Sequence, residues 1–180
     1  MTSRSRYDRV AQTLHWVMAV VLGANLALGW YAESLGRSRR QLELFLWHKS
    51  LGITLLALVM LRLGWRWWRG APAPVPMPRW QLQASRASHA LLYLLMVLVP
   101  LAGWLLNSAA NVPLNWFGLF RVPDLIEASK PARAWLELAH YWLAWSLAAL
   151  VVIHLLAALK HALIDRDDVV ARMWRGEIEP

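Results

Sequence analysis

The sequence predicts an all-α protein: a transmembrane four-helix bundle with both termini on the cytoplasmic side. Of its 180 residues, 58% are hydrophobic. The mean hydropathy is +0.36, more apolar than an ordinary soluble domain. Four segments, about 14–31, 44–65, 87–106 and 135–163, are long and apolar enough to cross a bilayer. There are thirteen tryptophans, most of them near the ends of these runs, among them Trp16, Trp30, Trp47, Trp65, Trp104 and Trp135. Those ends are where an aromatic belt meets the headgroups. The length fits one compact unit spanning 1–180.

The first segment follows Arg4, Arg6 and Arg9 and resembles a signal peptide at first sight. Its apolar run exceeds the roughly 7–15 residues of a signal h-region, carries His15 and leads to no clear cleavage site. It reads as a retained first helix. The short charged link 33–43 leads to the second segment, which holds Arg62 near its end. The stretch 70–79 carries Pro72, Pro74, Pro76 and Pro78, a spacing that favours a stiff extended strap. Pro100 predicts a kink in the third segment, tolerable in a packed membrane helix. The long connection 107–133 is broken by Pro113, Pro123 and Pro131, and its Trp116, Phe117 and Phe120 suggest a short interfacial helix. The fourth segment is long enough to tilt or to project past the bilayer. No internal repeat is evident.

Orientation follows from cation counts on alternate sides. One side holds twelve: Arg4, Arg6, Arg9, Arg62, Arg66, Arg69, Arg79, Arg86, Lys160, Arg166, Arg172 and Arg175. The other holds seven: Arg37, Arg39, Arg40, Lys49, Arg121, Lys130 and Arg133. The richer side, with both termini, is expected inside. The net charge of +8 is therefore read as arginines at helix ends, and nucleic acid is set aside as a partner.

Histidine carries the chemistry. An imidazole within a membrane is costly and marks function. His140 and His154 lie fourteen residues apart on one segment, about four turns and roughly 21 Å, so both rings point to nearly the same side. By depth, His48 near the start of the second helix matches His140 on the outer side, and His15 matches His154 on the inner side. Two such pairs suit two bis-imidazole haems stacked across the bundle. The chain has no cysteine, which excludes covalent C-x-x-C-H attachment and thiolate-held clusters, so any haem is non-covalent, of b type. The pairs lie too far apart for one tetrahedral metal site.

Ala144, Ala148 and Val151 lie between His140 and His154 on the same face, and Gly52 follows His48 by a turn. Small residues there either make room for a macrocycle or aid helix packing; both readings stand. Arg62, fourteen residues after His48, projects on the same face at inner depth. It either meets a haem propionate or snorkels to headgroups. His89 and His161 fall at the inner end and, with Arg79, form a candidate quinone site, since histidine titrates near neutral pH. His161 is also an alternative to His154 as ligand, less favoured because it lies nearer the membrane edge.

The stretches Thr13-Leu14-His15-Trp16, Trp47-His48-Lys49-Ser50-Leu51-Gly52, His89-Ala90-Leu91-Leu92-Tyr93-Leu94-Leu95 and Ile153-His154-Leu155-Leu156-Ala157-Ala158-Leu159-Lys160-His161 resemble the bacterial cytochrome b561 family. The resemblance runs from Tyr7 to Arg175. It implies a multi-pass inner-membrane protein with two b haems on His15, His48, His140 and His154. One branch of that family oxidises periplasmic superoxide and passes the electron to ubiquinone. Others are haem-bearing subunits of hydrogenases and dehydrogenases, fed by a partner protein. The short chain after the fourth helix resembles the stand-alone branch. The expected path enters at the outer haem, crosses to the inner one and leaves to ubiquinone near His89, His161 and Arg79. The expected donor is superoxide, steered by Lys49, Arg121, Lys130 and Arg133, and the expected surroundings are membrane lipid. A redox partner protein is the first alternative, and a histidine-lined proton or metal transporter the second.

Overall fold

The computed structural model describes residues 6–174. Arg4 and Arg175, two of the inner cations, lie outside the described residues. Four long helices dominate: α1 (Arg9–Ser34), α2 (Arg39–Arg69), α3 (Arg79–Ala109) and α4 (Lys130–Lys160). All four are long and apolar enough to span a membrane, the fourth running on to Asp165. At most 22% of the residues in any apolar span are buried inside the protein, so most side chains face outward, as lipid-exposed helices require.

Each helix starts before its apolar run, and side-chain caps open three of the four, α1, α2 and α4. The Asp8 carboxylate accepts from the Ala11 N–H at 3.0 Å and opens α1. Ser38 accepts from the Gln41 N–H at 3.1 Å and opens α2. Ser129 does the same for α4, with Pro131 in the first turn, where its missing N–H is harmless. His48 and His140 therefore do not begin their helices. They stand about nine and ten residues inside α2 and α4, a correction to their expected place at the helix starts.

The link 70–78 is irregular. Gly70 takes φ 75° as the C-cap of α2, and Pro78 is extended at ψ 144° before α3. Pro100 lies within α3, which continues to Ala109. The segment expected as a short interfacial helix is instead a β-hairpin, β1 (Leu114–Trp116) antiparallel to β2 (Phe120–Val122), with Trp116 opposite Phe120. Phe117 and Gly118 turn it with φ of 47° and 75°, a backbone that glycine favours. The hairpin docks on α2 through Ser50, whose Oγ accepts from the Phe117 N–H at 3.0 Å. The Trp116 indole N–H also donates to Thr54 Oγ1 at 3.1 Å.

After α4 comes a π-helical turn (His161–Asp165), ended by Arg166 in the left-handed region at φ 50°. A final helical turn, α5 (Ala171–Trp174), returns to α1. There the Gln12 amide donates to the Arg172 carbonyl at 3.1 Å and the Trp16 indole to the Met173 carbonyl at 2.9 Å. The helices pack chiefly as two antiparallel hairpins, α1 on α2 and α3 on α4, joined along a thinner α2–α3 seam. The histidines gather between these two hairpins.

Candidate functional site

Two groups of imidazoles stand at two depths. At the outer level the ring centroids of His48 and His140 are 6.2 Å apart with planes at 85°. At the inner level those of His15 and His154 are 6.4 Å apart at 67°. A metal–imidazole bond of about 2.0–2.1 Å on each side, with the two half-rings added, needs roughly 6–6.5 Å between centroids. Both separations fit an iron held between the rings.

The outer rings are fixed by matching devices. His48 Nδ1 lies 3.1 Å from the Asn25 carbonyl oxygen on α1, and His140 Nδ1 lies 3.0 Å from the Val99 carbonyl oxygen on α3. A carbonyl only accepts, so each Nδ1 carries the proton and each Nε2 keeps its lone pair for a metal. A helix carbonyl is already engaged by the N–H four residues on. At both of these carbonyls the ring approaches over the residue four positions on, where a side chain would stand in its way. That position is Gly29 after Asn25 and Gly103 after Val99. A Cβ at Gly29 would stand 2.9 Å from His48 Cε1, and one at Gly103 would stand 3.0 Å from His140 Cε1. These two notches are cradles that any side chain would fill. The sequence reasoning missed them. The available signal was a glycine inside each apolar helical run, which marks a close approach.

The inner level draws on all four helices. His89 on α3 comes within 5.6 Å of the His154 ring, at 66°. That is closer than the separation reckoned above for two rings across an iron, and His89 is the most exposed of the five rings. Arg62 on α2 donates through Nη1 to the Ala11 carbonyl on α1 at 2.5 Å and through Nε to the Tyr93 hydroxyl on α3 at 3.1 Å. It stands in a recess lined by Tyr7, Ala11, Trp65, Arg66, Gly70 and Tyr93. Ala11 precedes His15 by one turn and Tyr93 follows His89 by one turn, so the guanidinium sits at the inner histidines and turns inward rather than toward headgroups.

The remaining candidates lie elsewhere. Arg79 is the exposed first residue of α3, ten residues and about 15 Å along the axis from His89. His161 opens the π-helical turn with Nδ1 at 2.7 Å from Asp167 Oδ2 and 3.4 Å from Asp165 Oδ2. Lys160 binds the same Asp165 oxygen at 2.5 Å. His89 thus joins the inner imidazoles, while Arg79 and His161 stand apart from them.

Apolar spanning helices, paired imidazoles with free Nε2 atoms and no thiol define a membrane-spanning b-type cytochrome. The family model for prokaryotic cytochrome b561 matches residues 6–176, and the chain belongs to that family. It is 36% identical to "Cytochrome b561 homolog 2" of Escherichia coli (strain K12) over 93% of this chain and 90% of that protein. It is 28% identical to "Cytochrome b562" of Cereibacter sphaeroides over 97% and 99% of the two chains. It is also 26% identical to "Cytochrome b561 homolog 1" of Escherichia coli (strain K12) over 94% and 97%. The protein is accordingly a multi-pass inner-membrane protein that binds haem b and transfers electrons within the membrane.

Proposed function

We propose that the chain carries electrons through two b haems, one held by His48 and His140 and the other by His15 and His154, from periplasmic superoxide to ubiquinone. The observation that carries this reading is the pair of ring separations, 6.2 and 6.4 Å, at two depths of one bundle. Held between two imidazoles, a haem would supply one-electron transfer rather than oxygen binding. His48 and His140 hold their rings through the Asn25 and Val99 carbonyls, which keeps the ligand geometry fixed as the charge changes. Arg62, tied to Ala11 and Tyr93, supplies a cation for the inner haem carboxylate. Ubiquinone is reduced on the inner side, with His89 beside the inner pair and Arg79 and His161 at the rim of the same face. Superoxide is the donor favoured by the four outer cations.

Purified protein is expected to carry two acid-extractable haems per chain, both low-spin. His48→Ala or His140→Ala removes one, and His15→Ala or His154→Ala removes the other. Loss of the same spectral component from His15→Ala and His48→Ala would refute the pairing. Superoxide is expected to reduce both haems, and ubiquinone to reoxidise them. Reduction by a copurifying dehydrogenase, with none by superoxide, selects the partner-fed alternative.

A further inference from the structure

The two matching notches at the outer level show that the two helix hairpins are built alike. The glycine contacts agree atom by atom: 2.9, 3.1 and 3.7 Å to Cε1, Nδ1 and Nε2 of His48, against 3.0, 3.2 and 3.8 Å for His140. Aligning these notches fixes a register. On the first helix of each hairpin, His15, Asn25, Gly29 and Trp30 correspond to His89, Val99, Gly103 and Trp104, each 74 residues on. Met18 and Leu92, equivalent in this register, are both buried. On the second helix, His48 corresponds to His140 with a spacing of 92, and seven of sixteen residues from 48 to 63 recur at 140 to 155. They include the buried pair Leu55 and Leu147. The two hairpins thus align in one register, which periodicity does not reveal, because the two connections differ in length and no single period runs through the sequence. The register sets α1 against α3 and α2 against α4, the arrangement of a parallel repeat.

The repeat sorts the inner residues. At the outer level His48 and His140 are each other's equivalents, so one pair is complete and unique. At the inner level the pair His15 and His154 has a mate, and the mate consists of His89 and Arg62. The bundle therefore offers two crossed diagonals at this depth, α1 to α4 and α3 to α2. Only the first has an imidazole at both ends. An arginine has no lone pair to give a metal. Its Nε and Nη1 hydrogens are spent on Tyr93 and Ala11, which fixes the side chain at the abandoned position.

We infer that His89 and position 62 are a second, dormant axial-ligand pair, and that Arg62 is the residue that decides which diagonal holds the inner haem. This rests on the ligand pairing proposed above. With arginine at position 62, His89 lacks an opposite ligand and stays beside the His15–His154 site. With histidine there, the crossed diagonal becomes a competent bis-imidazole site.

The test is ligand transplantation, read by haem stoichiometry and low-spin electron paramagnetic resonance. His15→Ala and His154→Ala alone should each abolish the inner low-spin signal and leave the outer one. Adding Arg62→His to the His15→Ala, His154→Ala double variant should restore two low-spin haems per chain. A further His89→Ala should remove the restored one. Arg62→Gln in the same background should restore nothing, because it removes the charge without supplying an imidazole. The outer haem signal reports folding in every case. If the triple variant lacks it, the comparison is made in Arg62→His with His154→Ala alone. Failure of Arg62→His to restore the inner signal in the variant that keeps the outer haem overturns the inference and leaves the ligand pairing intact. Inner low-spin haem surviving both single alanine variants overturns the pairing and the inference together.

Discussion

At the scale of single residues, the site depends as much on what is missing as on what is present. His48 and His140 reach a carbonyl because Gly29 and Gly103 carry no side chain. An alanine Cβ at Gly29 would lie 2.9 Å from His48 Cε1, and overpacking of this kind costs about 1–3 kcal/mol. Gly29→Ala and Gly103→Ala should each broaden or abolish the outer low-spin haem signal and leave the inner one unchanged. Gly23, on the same helix, is the control, because a Cβ there would meet nothing within 4 Å. Gly23→Ala should retain both haems and raise the melting temperature slightly, since alanine is favoured in a helix interior by up to about 1 kcal/mol. An equal effect at positions 23 and 29 would deny the notch its role. Arg62 makes a second prediction at this scale. A cation beside a haem favours the added electron, so Arg62→Leu should lower the reduction potential of the inner haem more than that of the outer one in a redox titration. Of these residues, the meeting of His48 with His140 and of His15 with His154, and the depth of Arg62, were legible in the sequence because spacing encodes depth along a helix; the ligand roles remain the proposal. Gly29, Gly103, Asn25 and Val99 were not legible, because what they contribute is backbone and space, and no periodicity records which carbonyl a distant ring will meet.

At the scale of elements, the four spans were legible from hydropathy, while their ends and the long connection were not. Hydropathy marks where lipid begins. The helices end where Asp8, Ser38 and Ser129 satisfy their first N–H groups. The β-hairpin was hidden because its turn uses Phe117-Gly118 rather than the Asn-Gly or Asp-Gly pair that signals such a turn, and because its aromatics also suit an interfacial helix. Ser50 joins it to α2. The Ser50 Oγ is buried, accepts from the Phe117 N–H and donates to the Leu46 carbonyl at 2.9 Å. Ser50→Ala would strand that N–H, a loss of about 1–3 kcal/mol. The expected result is faster proteolytic cleavage between residues 111 and 129 and a lower melting temperature. Both haems should be retained, since neither outer ring bonds to Ser50. Unchanged cleavage would mean that the remaining contacts, Trp116 with Thr54, Trp104 with the Pro123 carbonyl and the Leu125 N–H with Ser108, hold the segment without Ser50.

At the scale of the whole molecule, the bundle is a conductor with two chemically different ends. Twelve cations on one side against seven on the other predict that the richer end lies inward. A fluorescent reporter fused after residue 180 should therefore fold and fluoresce in the cytoplasm, and a dark fusion would reverse the assignment. In that orientation the end that carries the hairpin and the starts of α2 and α4 would face the periplasm. His140 stands ten residues inside α4, about 15 Å from its start, so the proposed donor, a small anion, would have to pass its electron from the mouth of the bundle across that depth. Of the four outer cations, Arg121 is paired with Asp124 at 2.8 Å, which leaves Lys49 beside His48 and, on the first turn of α4, Lys130 and Arg133. Screening confines their attraction to roughly 8 Å at physiological salt. Superoxide should therefore reduce the haems fastest at low salt. Replacing Lys130 and Arg133 by glutamine should slow that reaction severalfold at low salt and flatten its dependence on ionic strength, with little change near physiological salt. Arg121→Gln should matter less, because its charge is already met. A rate that is independent of salt in the native protein would remove steering from the account. A native rate that falls with salt, but equally in the Lys130 and Arg133 variant, would move the entry point to Lys49, beside His48.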